Sequence, residues 1–448
     1  MRTHPGPVPA APVAPGGLPL LGHTISLLHR PLRFVRGLRE YGDVVTIHLG
    51  TLPAYMVTEP RLAGTVLAAK AEKFEKGIFF EKFRPYFGNG LALSSGDFYR
   101  RQRRLVQPAL HRGRIARYTT IMAELAEAMT GSWEPGRVVA VDRCMQDLAL
   151  AVIGRTLFSA ELGRRAVTEI QRSVPVLLKE GIVRAFSPRL VERLPIPGNR
   201  RFDRAIARVR GVVQAMVREA RADGTDRGDL LSMLLLARDE ETGEGMSDQQ
   251  VQDEVVTLLT AGTETSAIVL AWLFHELGRH REVERRFHAE VDAVLGGRVP
   301  GYADLRRLTY TGQVINEVLR VRAPWLIMRR TTREVELGGL RLPQGTEVAL
   351  SPHALHHDPR NFADPDRFDP DRWTPERAAS LPREAYLPFG EGLHRCPGRL
   401  FAHAELAVVA ATVGARWRLV PVLGKRVRTK VLGMAYPDRL PMTPIPRH

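Results

Sequence analysis

The 448-residue chain holds only two cysteines, Cys144 and Cys396, too few for a disulfide framework of the kind that staples secreted domains. No apolar run approaches eighteen residues, and no secretory apolar core is present. Both absences point to a soluble chain without a membrane anchor, at home in a reducing cytoplasm. Internal repeats, zinc-finger spacings and RNA-binding signatures are missing as well. That matters because the net charge is +16, a balance that would otherwise suit nucleic acid or an anionic surface. The charges are scattered and mostly arginine, so nucleic acid is not expected as a partner, while an acidic protein remains open.

What is present is 44% apolar, enough for a large core. No biased stretch reads as an interdomain linker. The expected organisation is an extended Pro/Gly-rich arm over 1–20 leading into a single domain over 21–448. DVVTIHLG and AYMVTEP, either side of TLP, read as an antiparallel pair, and RTTREVELGGLRLPQGTEVAL alternates like strands again. Between about 98 and 325 nearly every periodic segment is helical. One helix follows Cys396, and the tail from about 417 returns to strands. The fold class expected is mainly α with a small sheet built from both ends of the chain.

The longest helix should start at Ser247, an N-cap with Gln250 three residues on, and run to about Arg279. Val251, Val255, Leu258, Gly262, Thr265, Val269 and Trp272 then share one face, which would bury Gly262 and Thr265 from AGTETS at mid-helix. Two readings stand. Either Gly262 marks a close helix contact with Thr265 bonded back to the preceding turn, or its missing side chain opens room for a ligand beside a hydroxyl, with the acid Glu264 next to it.

FGEGLHRCPG, residues 389–398, surrounds the second cysteine with glycines whose backbone freedom allows a tight loop. Cys144, in CMQDLALAVIG, fits a small buried hydrophobe. Cys396 does not, because Pro397 suits the first turn of a following helix. That would place the sulfur at a positive helix end, where thiolate is favoured. A soft anionic ligand for iron results, with His394 and Arg395 available to meet negative groups.

This loop resembles the heme-binding loop of the cytochrome P450 superfamily through Phe389, Gly392, His394, Cys396 and Gly398. Three further stretches follow in the family's order: AGTETS, EVLR and FDPDRW. The resemblance runs from LPLLGH to the last strands. It implies a P450 fold with a long central helix over heme b (iron protoporphyrin IX), Cys396 as the metal ligand, and Glu264 with Thr265 as the acid and alcohol of proton delivery. It also implies a structural triad of Glu317, Arg320 and Arg372. Tyr99 and Arg103 in YRRQR, together with Arg329 or its neighbour Arg330, stand where family members hold the heme propionates, and His394 replaces a commoner arginine.

The implied activity is monooxygenation with O2. Electrons would come ultimately from NAD(P)H through separate ferredoxin and ferredoxin reductase, and the enzyme would be a monomer. Phe79, Phe80 and Phe83 in GIFFEKFRPYFGNG, with Ala261, Trp325, Leu326 and Ile327, are candidate pocket residues, although such aromatics also suit plain core. A pocket of this kind would be apolar. In its Pro/Gly-led start, its GIFF to GLALSSG region and ELGGLRLPQGTEV, the chain looks similar to actinobacterial terpene oxidases of antibiotic biosynthesis, such as the pentalenene oxygenases. Fatty acid, polyketide or steroid remain alternative substrates. Two other classes rest on single features: a non-heme iron oxygenase on His356 and Asp358 of HHD, and a terpene cyclase on the carboxylates of DEETGE, which otherwise read as a solvated turn.

Overall fold

In the computed structural model, the described residues are 11–158 and 190–447, with 168, 169, 172, 173, 176, 177, 179–181, 184, 187 and 189 between them. The first ten residues of the expected arm lie outside them. Residues 12–14 are not a free arm. Thr46 donates its N–H to the Pro12 carbonyl and accepts at its own carbonyl from the Ala14 N–H.

The described strands in chain order are β1 (Val44–Leu49), β2 (Leu52–Val57), β3 (Phe74–Lys76), β4 (Val139–Ala140), β5 (Ile327–Thr331), β6 (Val335–Leu337), β7 (Leu340–Leu342), β8 (Glu347–Leu350), β9 (Trp417–Pro421), β10 (Thr429–Val431), β11 (Ala435–Pro437) and β12 (Pro441–Pro446). A five-stranded sheet runs β1-β2-β8-β5-β3, so strands from residues 44–76 and 327–350 meet in it, while the last strands lie in separate sheets. Its β2–β8 pair is parallel, with Val57 opposite Leu350. The hairpin of β1 and β2 turns at Gly50, whose φ of +64° suits a residue without Cβ. A second sheet, β4-β12-β9, closes the carboxyl end.

The rest is mainly helical, which is the expected class. The central helix spans Asp248–Arg279 and opens with a capping box: Ser247 Oγ accepts from the Gln250 N–H, and the Gln250 side chain accepts from the Ser247 N–H. It packs against the helices Val141–Leu157, Pro197–Asp223 and Arg399–Arg416. By length and composition it could cross a membrane, yet 61% of its most apolar window is buried inside the protein. A helix apolar on most sides is what a core helix with neighbours all round requires.

Candidate active site

The cysteine loop is shaped by its own backbone. Gly390 and Gly392 take φ of +67° and +66°, the Cys396 N–H donates to the Phe389 carbonyl at 2.9 Å, and the Arg395 N–H to that of Gly392 at 3.1 Å. Gly392 lies so close to the Leu67 carbonyl that a Cβ would collide with it. The helix Gly96–Val106 braces the loop from elsewhere in the sequence. Arg103 donates to the carbonyls of Leu393 (2.9 Å) and Arg395 (2.7 Å) and to the Tyr99 hydroxyl, which itself donates to the Leu393 carbonyl.

Two expectations about this loop need correction. The following helix is Arg399–Arg416 with Gly398 at its N-cap, so Pro397 lies in the preceding turn and not in the first helical turn. Nor does the helix end win at the sulfur. Cys396 is accessible, but the surrounding protein desolvates its thiol and raises its pKa, against the Gly398 N–H, Arg103 and Arg399. A helix dipole fades within about one turn, and a bound cation would be needed to favour thiolate here.

Beside the loop lies a set of cations short of anions. The Arg329 guanidinium is buried, and among the described residues its one hydrogen bond goes to the Met328 carbonyl; burial pulls its pKa down to about 10. Lys76 is equally buried, 4.6 Å from the centre of the Tyr99 ring, donating to the Leu91 carbonyl at 2.5 Å, and burial with Arg329 beside it lowers its pKa to about 7. The acid facing Lys76 is Glu254, which accepts from the Leu91 N–H and is pushed by burial to about 8, hence mostly neutral at pH 7. Arg330 is different, since it is paired with Glu347 and Glu81 at 2.7 Å each.

His394 packs on Tyr99 with ring centroids 4.4 Å apart, and its buried Nδ1 has no hydrogen-bond partner among the described residues. Burial, then Arg329, Lys76 and Arg103, hold its pKa near 3. It would therefore meet a negative group as a neutral donor and not as a cation. Arg395, 3.9 Å from Glu391, points toward that acid.

At the centre of the long helix the shared-face expectation breaks down. Gly262 is packed: a Cβ there would come within 2.7 Å of Ile153 Cδ1 on the helix Val141–Leu157, so the reading that it opens ligand space is corrected. Ala261 and Thr265, one turn apart, are instead exposed amid buried neighbours, because at this level the helix has a packed side and an open side. Thr265 Oγ1 donates to the Ala261 carbonyl at 2.9 Å. Glu264 has no ion pair among the described residues, and burial raises its pKa to about 7.

Glu317, Arg320 and Arg372 come together in the core. Arg320 makes a bidentate pair with Glu317 at 2.9 and 2.8 Å, both side chains fully buried, and Arg372 lies 3.4 Å from the same carboxylate. The Trp373 indole and the Asp369 N–H also donate to Glu317, while both arginines reach backbone carbonyls of 363–367. Every lone pair of a buried carboxylate is thus engaged.

The pocket candidates divide. Phe79, Phe80, Trp325 and Leu326 share one apolar cluster, and Trp325 Nε1 donates to the Leu432 carbonyl. Ile327 packs into a different cluster under the sheet, while Phe83 stacks edge-on with Phe87. His356 is spent on the Arg320 carbonyl and the Leu387 N–H, and Asp358 on Arg360. No group of three metal-ligating side chains occurs among the described residues, which leaves the facial-triad reading without support. DEETGE is not simply solvated: Asp239 is buried, tied to Arg104 and to the N–H groups of Glu241 and Thr242.

Lys76, Glu254 and Glu405 escaped sequence reasoning. Strand alternation held the signal for Lys76, which shares the inward face of β3 with Phe74. Glu405 stood out as an acid inside an apolar helix, and it is fully buried beside Ser266 of the central helix.

An acceptor for this cluster must bring carboxylates to Arg329, Lys76 and His394 while presenting a cation to a sulfur nearby. A heme would supply both, carboxylates for Arg329, Lys76 and His394 and an iron cation for Cys396, so the residues fit that group and the chemistry of a heme-thiolate enzyme. Comparison with known proteins agrees: the sequence profile of the family described as Cytochrome P450 matches residues 12–435, and the chain belongs to that family. It is 46% identical to cyclooctat-9-en-7-ol 5-monooxygenase of Streptomyces melanosporofaciens, over 97% of this chain and 95% of that one. Against pentalenene oxygenase of Streptomyces avermitilis the identity is 36%, over 96% of each. The crystallised heme domain of cytochrome P450DA superposes with a TM-score of 0.87 at 26% identity, covering 98% of both chains. The chain is accordingly an oxidoreductase of the monooxygenase type, acting with O2 on an apolar molecule.

Proposed function

We propose that residues 21–448 form one catalytic domain that inserts oxygen into an unactivated C–H bond of a terpene. The observation that carries the heme reading is the anion-poor cluster of buried Arg329 and Lys76 with half-buried Arg103 beside Cys396. Cys396 would hold the iron, and Tyr99, Arg103, Arg329 and His394 would meet the propionates, with Lys76 added to that set. Arg329 takes the role over Arg330 because Arg330 is already neutralised by two carboxylates. Bound heme supplies the activation of O2 by two electrons and the transfer of one oxygen atom to carbon.

The protein's part is protons and shape. With a pKa near 7, Glu264 is protonated in about half the molecules at neutral pH, so it can give and regain a proton at its carboxyl. The Thr265 hydroxyl, which donates its own hydrogen to the Ala261 carbonyl, keeps its lone pairs free to accept a hydrogen bond. Glu317, Arg320 and Arg372 fix the geometry and take no part in chemistry. The apolar cluster of Phe79, Phe80, Trp325 and Leu326, with Ala261 on the helix, lines the substrate side. Electrons reach the enzyme from NAD(P)H through a separate reductase and an acidic ferredoxin drawn to the basic surface.

The names of the relatives support an alkenol of the cyclooctatin type ahead of pentalenene, since the two cyclooctatin enzymes share 46% and 44% identity against 36%. The test is the carbonyl difference spectrum of the reduced protein, then a spin-state titration with cyclooctat-9-en-7-ol and pentalenene. A thiolate-type carbonyl band that persisted in Cys396→Ala would overturn the ligand assignment. Failure of both compounds to shift the spin state, with a fatty acid, polyketide or steroid succeeding, would overturn the substrate class.

A further inference from the structure

We propose, resting on the heme reading, that Glu254 is a positioning residue that acts through Lys76 on the charge at the heme rim. Glu254 belongs to the first half of the central helix and Lys76 to β3, and both side chains are buried. One peptide stands between them. The Lys76 ammonium donates to the Leu91 carbonyl, and Glu254 Oε2 accepts from the Leu91 N–H at 3.0 Å. A buried cation and a buried acid thus grip the two ends of the same residue.

The chain around Leu91 is fitted to that helix. Asn89 donates its N–H to Asp253 Oδ2 at 2.7 Å, and a Cβ on Gly90 would collide with Thr257 Oγ1 and the Asp253 carbonyl. Asp253 is matched by Arg210 at 3.0 Å. Glu254 has no ion pair among the described residues, and its buried Oε1 has no hydrogen-bond partner among them. A buried carboxyl with one oxygen unused is costly to ionise unless a cation stands near it.

Charge shows what the arrangement does. Lys76 stands opposite Arg329 in the pairing of β3 with β5. Arg103 and Arg84 also bear on it, and among the described residues the acid that does so is Glu254. Arg84 is held by the Leu93 carbonyl at 3.1 Å, and His394 is neutral. Two heme carboxylates would leave one charge of Arg329, Lys76 and Arg103 in excess, and Glu254 is placed to offset it. Burial pushes its carboxyl up to about 8 against the Leu91 N–H and Lys76, with Asp253 adding to the rise. The acid therefore gains its charge as pH rises from about 7 to about 9, and a negative charge beside the heme favours ferric over ferrous iron.

The test is the ferric–ferrous midpoint potential of the substrate-free, heme-loaded protein from pH 6 to pH 9, with the Soret band reporting heme content. The wild-type potential should fall across that range. Glu254→Gln keeps an acceptor for the Leu91 N–H but cannot ionise. It should match wild type at pH 6 and favour ferrous iron about five-fold more at pH 9, about 40 mV for one electron. Lys76→Gln should lose heme to apomyoglobin about ten-fold faster, and in that background Glu254→Gln should move the potential much less. Should Glu254→Gln misfold, Lys76→Gln alone should show a shallower fall of potential with pH, and an unchanged fall would overturn the proposal. Wild-type and Glu254→Gln potentials that run parallel from pH 6 to pH 9 would overturn it too, because an acid with a purely structural role shifts both ends alike. So would an effect of Glu254→Gln that is the same with and without Lys76. A chain that takes up no heme would remove the heme reading itself, and this proposal with it.

Discussion

Replacing Glu405 by glutamine should stabilise the protein in a way that depends on pH. The side chain is fully buried between the helix after Cys396 and the central helix, neither oxygen has a well-formed hydrogen bond, and the nearby Ser266 lowers its pKa only in part. Burial thereby lifts the carboxyl from 4.5 to about 8. Below pH 4.5 it is protonated both folded and unfolded, and costs nothing by ionisation. Between those two values the unfolded chain releases the proton while the folded one keeps it, so stability falls by about 1.4 kcal/mol per pH unit. That amounts to about 3 kcal/mol by pH 7 and about 5 kcal/mol once pH passes 8, after which both states are ionised and the loss levels off. Glutamine stays neutral throughout. Urea unfolding of both proteins at pH 5 and pH 8 should show a small difference at the lower pH and a gain of a few kcal/mol for the variant at the higher one. An equal difference at both values would refute the reasoning, because it would mean that Glu405 does not titrate in that window.

Gly262→Ala should cost about 1–3 kcal/mol through overpacking, since the new methyl meets Ile153 Cδ1; adding Ile153→Val should recover most of it, as read by thermal unfolding of the single and double variants. Arg320→Ala should strip Glu317 of its bidentate partner and cost about 3–5 kcal/mol, measured as a fall in the urea midpoint together with lower heme retention.

The features legible in the sequence are those set by local chemistry. The capping box at Ser247, the paired strands either side of Gly50 and the two glycines of the cysteine loop each rest on residues a few positions apart. What stayed hidden depends on neighbours far along the chain. Arg329 and Arg330 look alike in sequence, and only Glu81 and Glu347 distinguish them. The split between Gly262 and Thr265 needed Ile153, and the neutral state of His394 needed Lys76, Arg103 and Arg329 to converge on it. The helix Ile78–Phe87 carried Pro85 in its interior, a residue that argues against helix on local grounds. The sulfur's raised pKa reverses a dipole argument because desolvation by the whole site outweighs one helix end.

The parallel pairing of β2 with β8 joins segments about 290 residues apart. During synthesis at about 5–20 residues per second, the amino-terminal hairpin leaves the ribosome about 15–60 s before its partner strand exists. Throughout that interval the outer edge of β2 offers unpaired amides and carbonyls to any passing strand. Nascent chains should therefore engage chaperones early, and fragments ending before residue 347 should accumulate as aggregates.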